Sequence, residues 1–199
     1  MQITLILAAS YLLGSIPFGY IIGLIYGKDL TKEGSGNIGA TNTFRTLGII
    51  PGSIVFFFDL AKGALAVLLC SLLYPNPLAI IAAGAIAIAG HTFSVFMGFK
   101  GGKGVATGLG VLFGIAPEVF LICLVWTVVI TALTRYVSVT SITGAILATS
   151  LMFWFGKPLS YSIFVAIASA FIIYKHKDNI KRLLDGTENR IGGKKKNAV

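Results

Sequence analysis

Two glycine-rich stretches hold most of the residues in this chain that could do chemistry. GFKGGKGVATGLG at 98–110 has six Gly and two Lys among its thirteen residues. GSGNIGATNTFR at 34–45 combines glycines with Ser35, Asn37, Thr41, Asn42, Thr43 and Arg45. Glycine lets a backbone come close to a ligand and reach positive φ. Successive exposed N–H groups in such a loop make a concave anion site. Lys100 and Lys103 add point charges to one stretch, and Arg45 adds a planar fork suited to phosphate to the other. The chemistry indicated is phosphate binding at a membrane surface. A flexible turn flanked by lysines uses similar residues, and so does a loop whose Ser and Asn only cap helix ends. A helix N-terminus capped by a ligand phosphate unites the two, and the presence of two such stretches favours a ligand.

Two pattern matches are decoys. Gly34, Gly36 and Gly39 satisfy G-x-G-x-x-G, which marks a dinucleotide site only between a strand and a helix. Gly102-Lys103-Gly104 resembles the end of a phosphate-binding P-loop. The Ser or Thr that should follow the lysine is Gly104, however, and the leading glycine position is Met97.

The elements that position these stretches are apolar spans. Of the 199 residues, 56% are hydrophobic, 12% are charged and mean hydropathy is +0.89. Soluble domains average about 25% charged residues, so the composition is that of a polytopic membrane protein. A helix needs about 20 apolar residues to cross a bilayer. Spans are expected at 3–26 with a kink at Pro17, and at 49–74, 78–99, 105–116, 119–133, 141–155 and 159–174. The fourth is short for a plain helix, which implies a helical part of the Gly-rich stretch or a broken, re-entrant segment. Pro75-Asn76-Pro77 reads as a tight turn. The expected fold is thus an all-α integral membrane protein of seven transmembrane helices.

Seven spans put the termini on opposite sides. Fourteen of the sixteen basic residues then fall on one side, leaving Lys157 opposite and Lys62 within a span. By the positive-inside rule that side is the cytoplasm, which puts the N-terminus outside and the C-terminus in the cytoplasm. Both Gly-rich stretches, the Arg135 segment and the His176 segment share the cytoplasmic face. The net charge of +9 is spread between spans and in the tail, unlike the basic face of a nucleic-acid-binding fold. No basic n-region of a cleavable signal peptide is evident.

Other polar residues fall into place around this. Asp59 and Lys62 are spaced i, i+3 on one helix face and can pair. His91, about two turns before the second Gly-rich stretch, reads as a support residue. His176 and Asn179 lie on one face if the last helix continues past its span. Lys175, Lys177 and Lys181 suit contact with anionic lipid, as do Lys194, Lys195 and Lys196. Cys70 and Cys123 sit singly in apolar segments, so no disulfide framework is expected. The sequence shows no nucleophile motif with a positioned acid and no cluster suggesting a catalytic metal. Neither His is followed by Asp after four intervening residues, the pair that a common acyltransferase motif uses.

The motifs carry a family resemblance. SGNIGATNTFR at 35–45, AGHTFSVFMGFKGGKGVATG at 89–108, TRYVSVTS at 134–141 and HKDNIKRLLDGTE at 176–188 resemble, in order, those of the bacterial acyl-phosphate:glycerol-3-phosphate acyltransferases, the PlsY type. The likeness covers essentially the whole chain, as one polytopic acyltransferase domain over 1–199 with a basic tail from about residue 175. It implies transfer of an acyl chain from acyl phosphate to the 1-hydroxyl of glycerol 3-phosphate. The products are lysophosphatidic acid and phosphate, in the first acylation of phospholipid synthesis. No cofactor or metal is implied. The partners are the two substrates, membrane lipid and a functional link to an acyl-phosphate-producing enzyme. The expected location is the bacterial inner membrane, multi-pass, with the active site at the cytoplasmic face.

By that likeness Ser35, Gly36, Asn37, Thr41, Asn42 and Ser141 hold the acyl-phosphate head group. Arg45, Lys103, His176 and Asn179 hold glycerol 3-phosphate. His91, Gly101, Gly102, Gly104 and Arg135 support the site. Acyl phosphate is a mixed anhydride with a good leaving group, so positioning and charge stabilisation suffice. No residue is expected to act as covalent nucleophile or general base. Two rivals remain at the sequence level. A transporter for a phosphorylated metabolite needs polar residues continuing to the far face, and few are there. A lipid-binding scaffold leaves the Gly-rich stretches unused.

Overall fold

The computed structural model describes residues 1–192. The lysines at 194, 195 and 196, read above as lipid-contacting, lie outside the described residues. The chain runs through α1 (Gln2–Ser15), α2 (Phe18–Ile25), α3 (Ala40–Leu47), α4 (Ile49–Leu73) and α5 (Pro77–Thr92). After a 3₁₀ turn at Val95–Met97 come α6 (Val105–Ile115), α7 (Pro117–Thr134), α8 (Val137–Trp154), α9 (Leu159–Lys175) and α10 (Lys177–Leu184).

Local chemistry sets several ends. Pro17 has no N–H and biases its predecessor toward extended backbone. Ile16 sits at φ −56°, ψ 117°, and α1 stops there. Pro77 and Pro117 occupy the first turns of α5 and α7, where a missing N–H costs nothing. Asn76 Oδ1 accepts the Leu78 and Ala79 N–H groups at 3.0 and 3.2 Å and caps α5. The turn expected at 75–77 is present.

The seven-span expectation is corrected. Among the described residues five helices or helix pairs are long and apolar enough to cross a membrane: Gln2–Ile25, Ile49–Leu73, Pro77–Met97, Pro117–Thr134 and Val137–Trp154. A sixth is reached only if α9 and α10, bent by 55°, count as one. The physical reason is length. The α6 helix has 11 residues and α9 has 17. At about 1.5 Å per residue the former spans roughly half of a hydrocarbon core about 30 Å thick. The opposite-side placement of the termini rested on the odd count of seven and falls with it. The condition under which His176 and Asn179 would share a face of one continuing helix is not met: His176 stands in the break between α9 and α10.

Helix α6 is held inside the bundle by small residues. Gly63 on α4 lies against the backbone of Thr107, and Gly110 on α6 lies against the Leu60 carbonyl, with no room for a Cβ at either. Such contacts let membrane helices meet backbone to backbone. Val67, Ala83, Val111, Val119 and Met152 form the centre of the core, at most 1% exposed. Leu72, Val125, Leu133 and Trp154 are among many large apolar side chains left exposed on the outside, as lipid contact requires. Cys70 and Cys123 are buried free thiols.

The two ends of the bundle differ. At one, the Gln2 side chain donates to the Leu73 carbonyl at 3.0 Å, and Lys157 pairs with Glu118. At the other, the loops at 26–39 and 98–104, the turn between α7 and α8 and the segment after α10 come together.

Candidate active site

Asn42 organises the first Gly-rich stretch. It is 1% exposed. Its Oδ1 accepts the Ser35 N–H at 2.9 Å, and its Nδ2 donates to the Leu30 and Glu33 carbonyls at 3.2 and 2.9 Å. Asn37 Oδ1 accepts the Gly39 N–H at 2.8 Å, while its Nδ2 reaches the Gly101 carbonyl at 3.4 Å and ties the two Gly-rich stretches together. The second stretch enters α6 through Gly104 at φ +83°, a conformation that glycine adopts without strain. Lys103 immediately precedes that turn.

Lys103 Nζ donates to Asn179 Oδ1 on α10. Asn179 Nδ2 in turn donates to Glu188 Oε1 at 2.7 Å. The Glu188 side chain is 1% exposed. It also accepts from Ser138 Oγ at 3.0 Å and Arg182 Nε at 2.7 Å. Arg45 Nη2 lies 3.8 Å from it and donates to the Asn189 carbonyl at 3.0 Å. Arg45 Nε is buried without a partner among the described residues. Burial raises the Glu188 pKa, but hydrogen bonds from Asn179 and Arg182 outweigh it and hold the carboxyl below its usual range. Burial and the neighbouring Arg182 push the Lys103 ammonium down to about 8, against the pull of Glu188. His176 is buried, and its Nδ1–H donates to the Ile172 carbonyl at 2.8 Å. That fixes the tautomer and leaves Nε2 for other contacts.

These groups rim a cavity of about 570 Å³ that runs down between helices. Ser35, Asn37, Thr41, Asn42, Arg45, Lys103, Ser141, His176 and Asn179 all line it, and His91 lines its wall. Below them the walls are apolar: Phe56 of α4, Leu109 and Leu112 of α6, Leu124 and Val128 of α7, Ala148 of α8 and Phe164 of α9. Gly36, Gly101, Gly102 and Gly104 shape the loops without lining the cavity. Arg135 is not brought in. It caps α7 at φ +61°, its side chain is exposed, and its carbonyl accepts the Ile191 N–H at 2.9 Å. Sequence reasoning missed Ser138, Arg182 and Glu188. The last two stand in the quoted tail motif, and only their spacing from Asn179 hinted at a shared cluster. Among the described residues no three His, Cys, Asp or Glu side chains gather as a metal site.

A helical membrane protein with a cationic rim over an apolar cavity is built to handle an amphiphile carrying a phosphate. A family model described as glycerol-3-phosphate acyltransferase matches residues 4–186. Glycerol-3-phosphate acyltransferase 2 of Moorella thermoacetica is 47% identical over 190 residues, covering 94% of this chain and 97% of that one. The enzyme of Geobacillus kaustophilus is 44% identical over 188 residues, covering 94% and 95%. The crystal structure of PlsY (YgiH), an integral membrane glycerol 3-phosphate acyltransferase in its glycerol 3-phosphate form, superposes with a TM-score of 0.91 at 41% identity. It covers 96% of each chain. Its lysophosphatidic acid form gives 0.89 at 41% identity, covering 96% and 95%. The chain belongs to the glycerol-3-phosphate acyltransferase family, and it is a multi-pass membrane enzyme.

Proposed function

We propose that this chain joins its two substrates by direct transfer at the rim of the cavity. The reaction moves an acyl group from acyl phosphate to glycerol 3-phosphate and gives lysophosphatidic acid. One observation carries the site reading: the cationic groups stand at the mouth of an apolar cavity, so one place offers charge to phosphate and cover to an acyl chain. Arg45, Lys103, His176 and Asn179 hold glycerol 3-phosphate. Ser35, Gly36, Asn37, Thr41, Asn42 and Ser141 hold the acyl-phosphate head group, with Asn42 acting through the loop that it orders. Gly101, Gly102, Gly104 and His91 support the phosphate loop, and Arg135 supports the site through its backbone.

The 1-hydroxyl oxygen attacks the acyl carbon, and the bond from that carbon to the phosphate oxygen breaks. The hydroxyl proton passes to the departing phosphate, whose oxygens lie beside the reacting carbonyl. Phosphate leaves, and the ester remains. The backbone N–H groups and rim cations stabilise the charge that develops, and proximity does the rest. The concentration of Lys and Arg at the pocket end supports a site facing the cytoplasm of a bacterial cell, where an acyl-phosphate-producing enzyme supplies the donor. The whole chain acts as one acyltransferase unit. Incubation with labelled acyl phosphate alone tests direct transfer. No acyl-enzyme should be trapped, and a covalent acyl adduct on the protein would overturn it.

A further inference from the structure

Three ionisable side chains outside the rim are buried together. Asp59 and Lys62 lie one turn apart on α4, and His91 lies in the last turn of α5. They are 2%, 2% and 7% exposed. Lys62 Nζ is 2.8 Å from Asp59 Oδ1 and donates to the Ile16 carbonyl, at the break between α1 and α2, at 2.9 Å. His91 Nδ1 lies 3.4 Å from the same Asp59 oxygen. Placing such groups inside an apolar bundle is costly, and apolar side chains of similar volume often pack as well or better. Packing alone therefore gives no reason for them.

The far end of this cluster touches the phosphate loop. The His91 carbonyl accepts the Gly102 N–H at 3.1 Å. A Cβ at Gly102 would overlap the His91 ring, Nε2 first, and the three nearest atoms in its way all belong to that ring. A Cβ at Gly101 would overlap the His91 and Thr92 carbonyls. The loop thus rests directly on the end of α5, with the imidazole as its seat, and the next residue is Lys103.

We propose that Asp59, Lys62 and His91 act together as positioning residues. Lys62 anchors the cluster at the α1/α2 break, Asp59 holds Lys62 and His91 in one arrangement, and the His91 ring sets the height of Gly101 and Gly102. That height decides where the Lys103 ammonium meets the phosphate of glycerol 3-phosphate. The inference rests on the reading of Lys103 as a phosphate ligand.

Steady-state kinetics of the purified enzyme test it by a double-mutant cycle. His91→Ala and Gly102→Ala should each raise KM for glycerol 3-phosphate more than they lower kcat. In the His91→Ala background, Gly102→Ala should add no further loss, because the ring that its Cβ would strike is gone. Contacting residues couple by about two- to a hundredfold. Losses that simply multiply would overturn the inference. The paired Asp59→Asn/Lys62→Met variant removes both charges at once and should keep the wild-type unfolding midpoint while raising the same KM. An unchanged KM would also overturn it. A disabling Lys103→Ala with an additive cycle defeats this inference alone, whereas an unaffected Lys103→Ala defeats the site reading beneath it.

Discussion

Two charge clusters among the described residues are built differently. The inner one, Asp59 with Lys62 and His91, is buried between α4, α5 and the α1/α2 break, where Asp59 and His91 form part of the cavity wall, and Lys62 finds its acceptors within the protein. The outer one, Arg45, Lys103, Asn179, Arg182 and Glu188, stands at the cavity mouth. It keeps an Arg45 Nε with no partner among the described residues and an ammonium whose charged form is disfavoured. An internally paired cluster holds backbone segments in place. In the proposed site the incomplete one, with its excess positive charge, is completed by a substrate phosphate. On that reading the first belongs to the framework and the second to the substrate, and variants at the two should fail in different assays.

The largest effect is expected at the inner cluster, and it is an effect on folding. Asp59→Asn or Lys62→Met alone leaves one charge without its partner inside the bundle. Breaking such a pair costs about 3–5 kcal/mol of stability. Thermal unfolding of the detergent-purified variants should show a large drop in midpoint for each single change and recovery in the double. Equal midpoints for single and double variants would mean that the pair is not coupled and that the contrast between the clusters is false.

At the outer cluster the loss should appear in catalysis with the fold intact. In the proposed site Lys103→Ala and Arg45→Ala each remove a charge-assisted phosphate contact. By analogy with buried charge pairs that costs about 2–5 kcal/mol, roughly 30- to several-thousand-fold in kcat/KM for glycerol 3-phosphate. Arg45→Lys should also be impaired, because a point charge does not reproduce a planar fork. Near-normal kinetics in the alanine variants would remove these residues from the site, and a collapsed unfolding midpoint would move them into the framework.

Legibility in the sequence followed the range of the interaction. Apolar runs disclosed the long helices, because a membrane span is a property of consecutive residues. Pro17 marked a kink and Pro75-Asn76-Pro77 a turn for the same reason. The pairing of Asp59 with Lys62 was readable from a spacing of three. The count of spans was not: the short fourth segment was legible, but whether it crosses, and the bend after α9, depend on how the chain packs. The participation of His91 in the inner cluster was also hidden, because it joins α5 to α4. Glu188 carries no local signal beyond its place in the tail motif. Its bonds to Ser138, 50 residues away, and to Arg45 exist only once α3, α8 and the tail meet. Arg135 was legible as a support residue only through its motif: its left-handed cap at the end of α7 leaves the side chain outside the cavity, while its carbonyl holds the tail at Ile191.

The smallest effect separates the clusters by pH. Lys103 begins from a usual value near 10.5, and burial with Arg182 nearby brings it down to about 8. Its charge is present below that value and lost above it. The kcat/KM for glycerol 3-phosphate reports the free enzyme, so it should fall above about pH 8, approaching tenfold per unit for a single proton. A bound phosphate dianion restores the charged form, so kcat at saturating glycerol 3-phosphate should hold to higher pH. Glu188, held ionised by its donors, does not titrate in this range and cannot produce the limb. Lys103→Arg supplies the decisive variant. A guanidinium stays charged throughout, so the variant should have lower activity but a flat profile from pH 7 to 9. A limb that persists in Lys103→Arg belongs to another group, and Lys103 would then be a contact of fixed charge and no titrating part of the outer cluster.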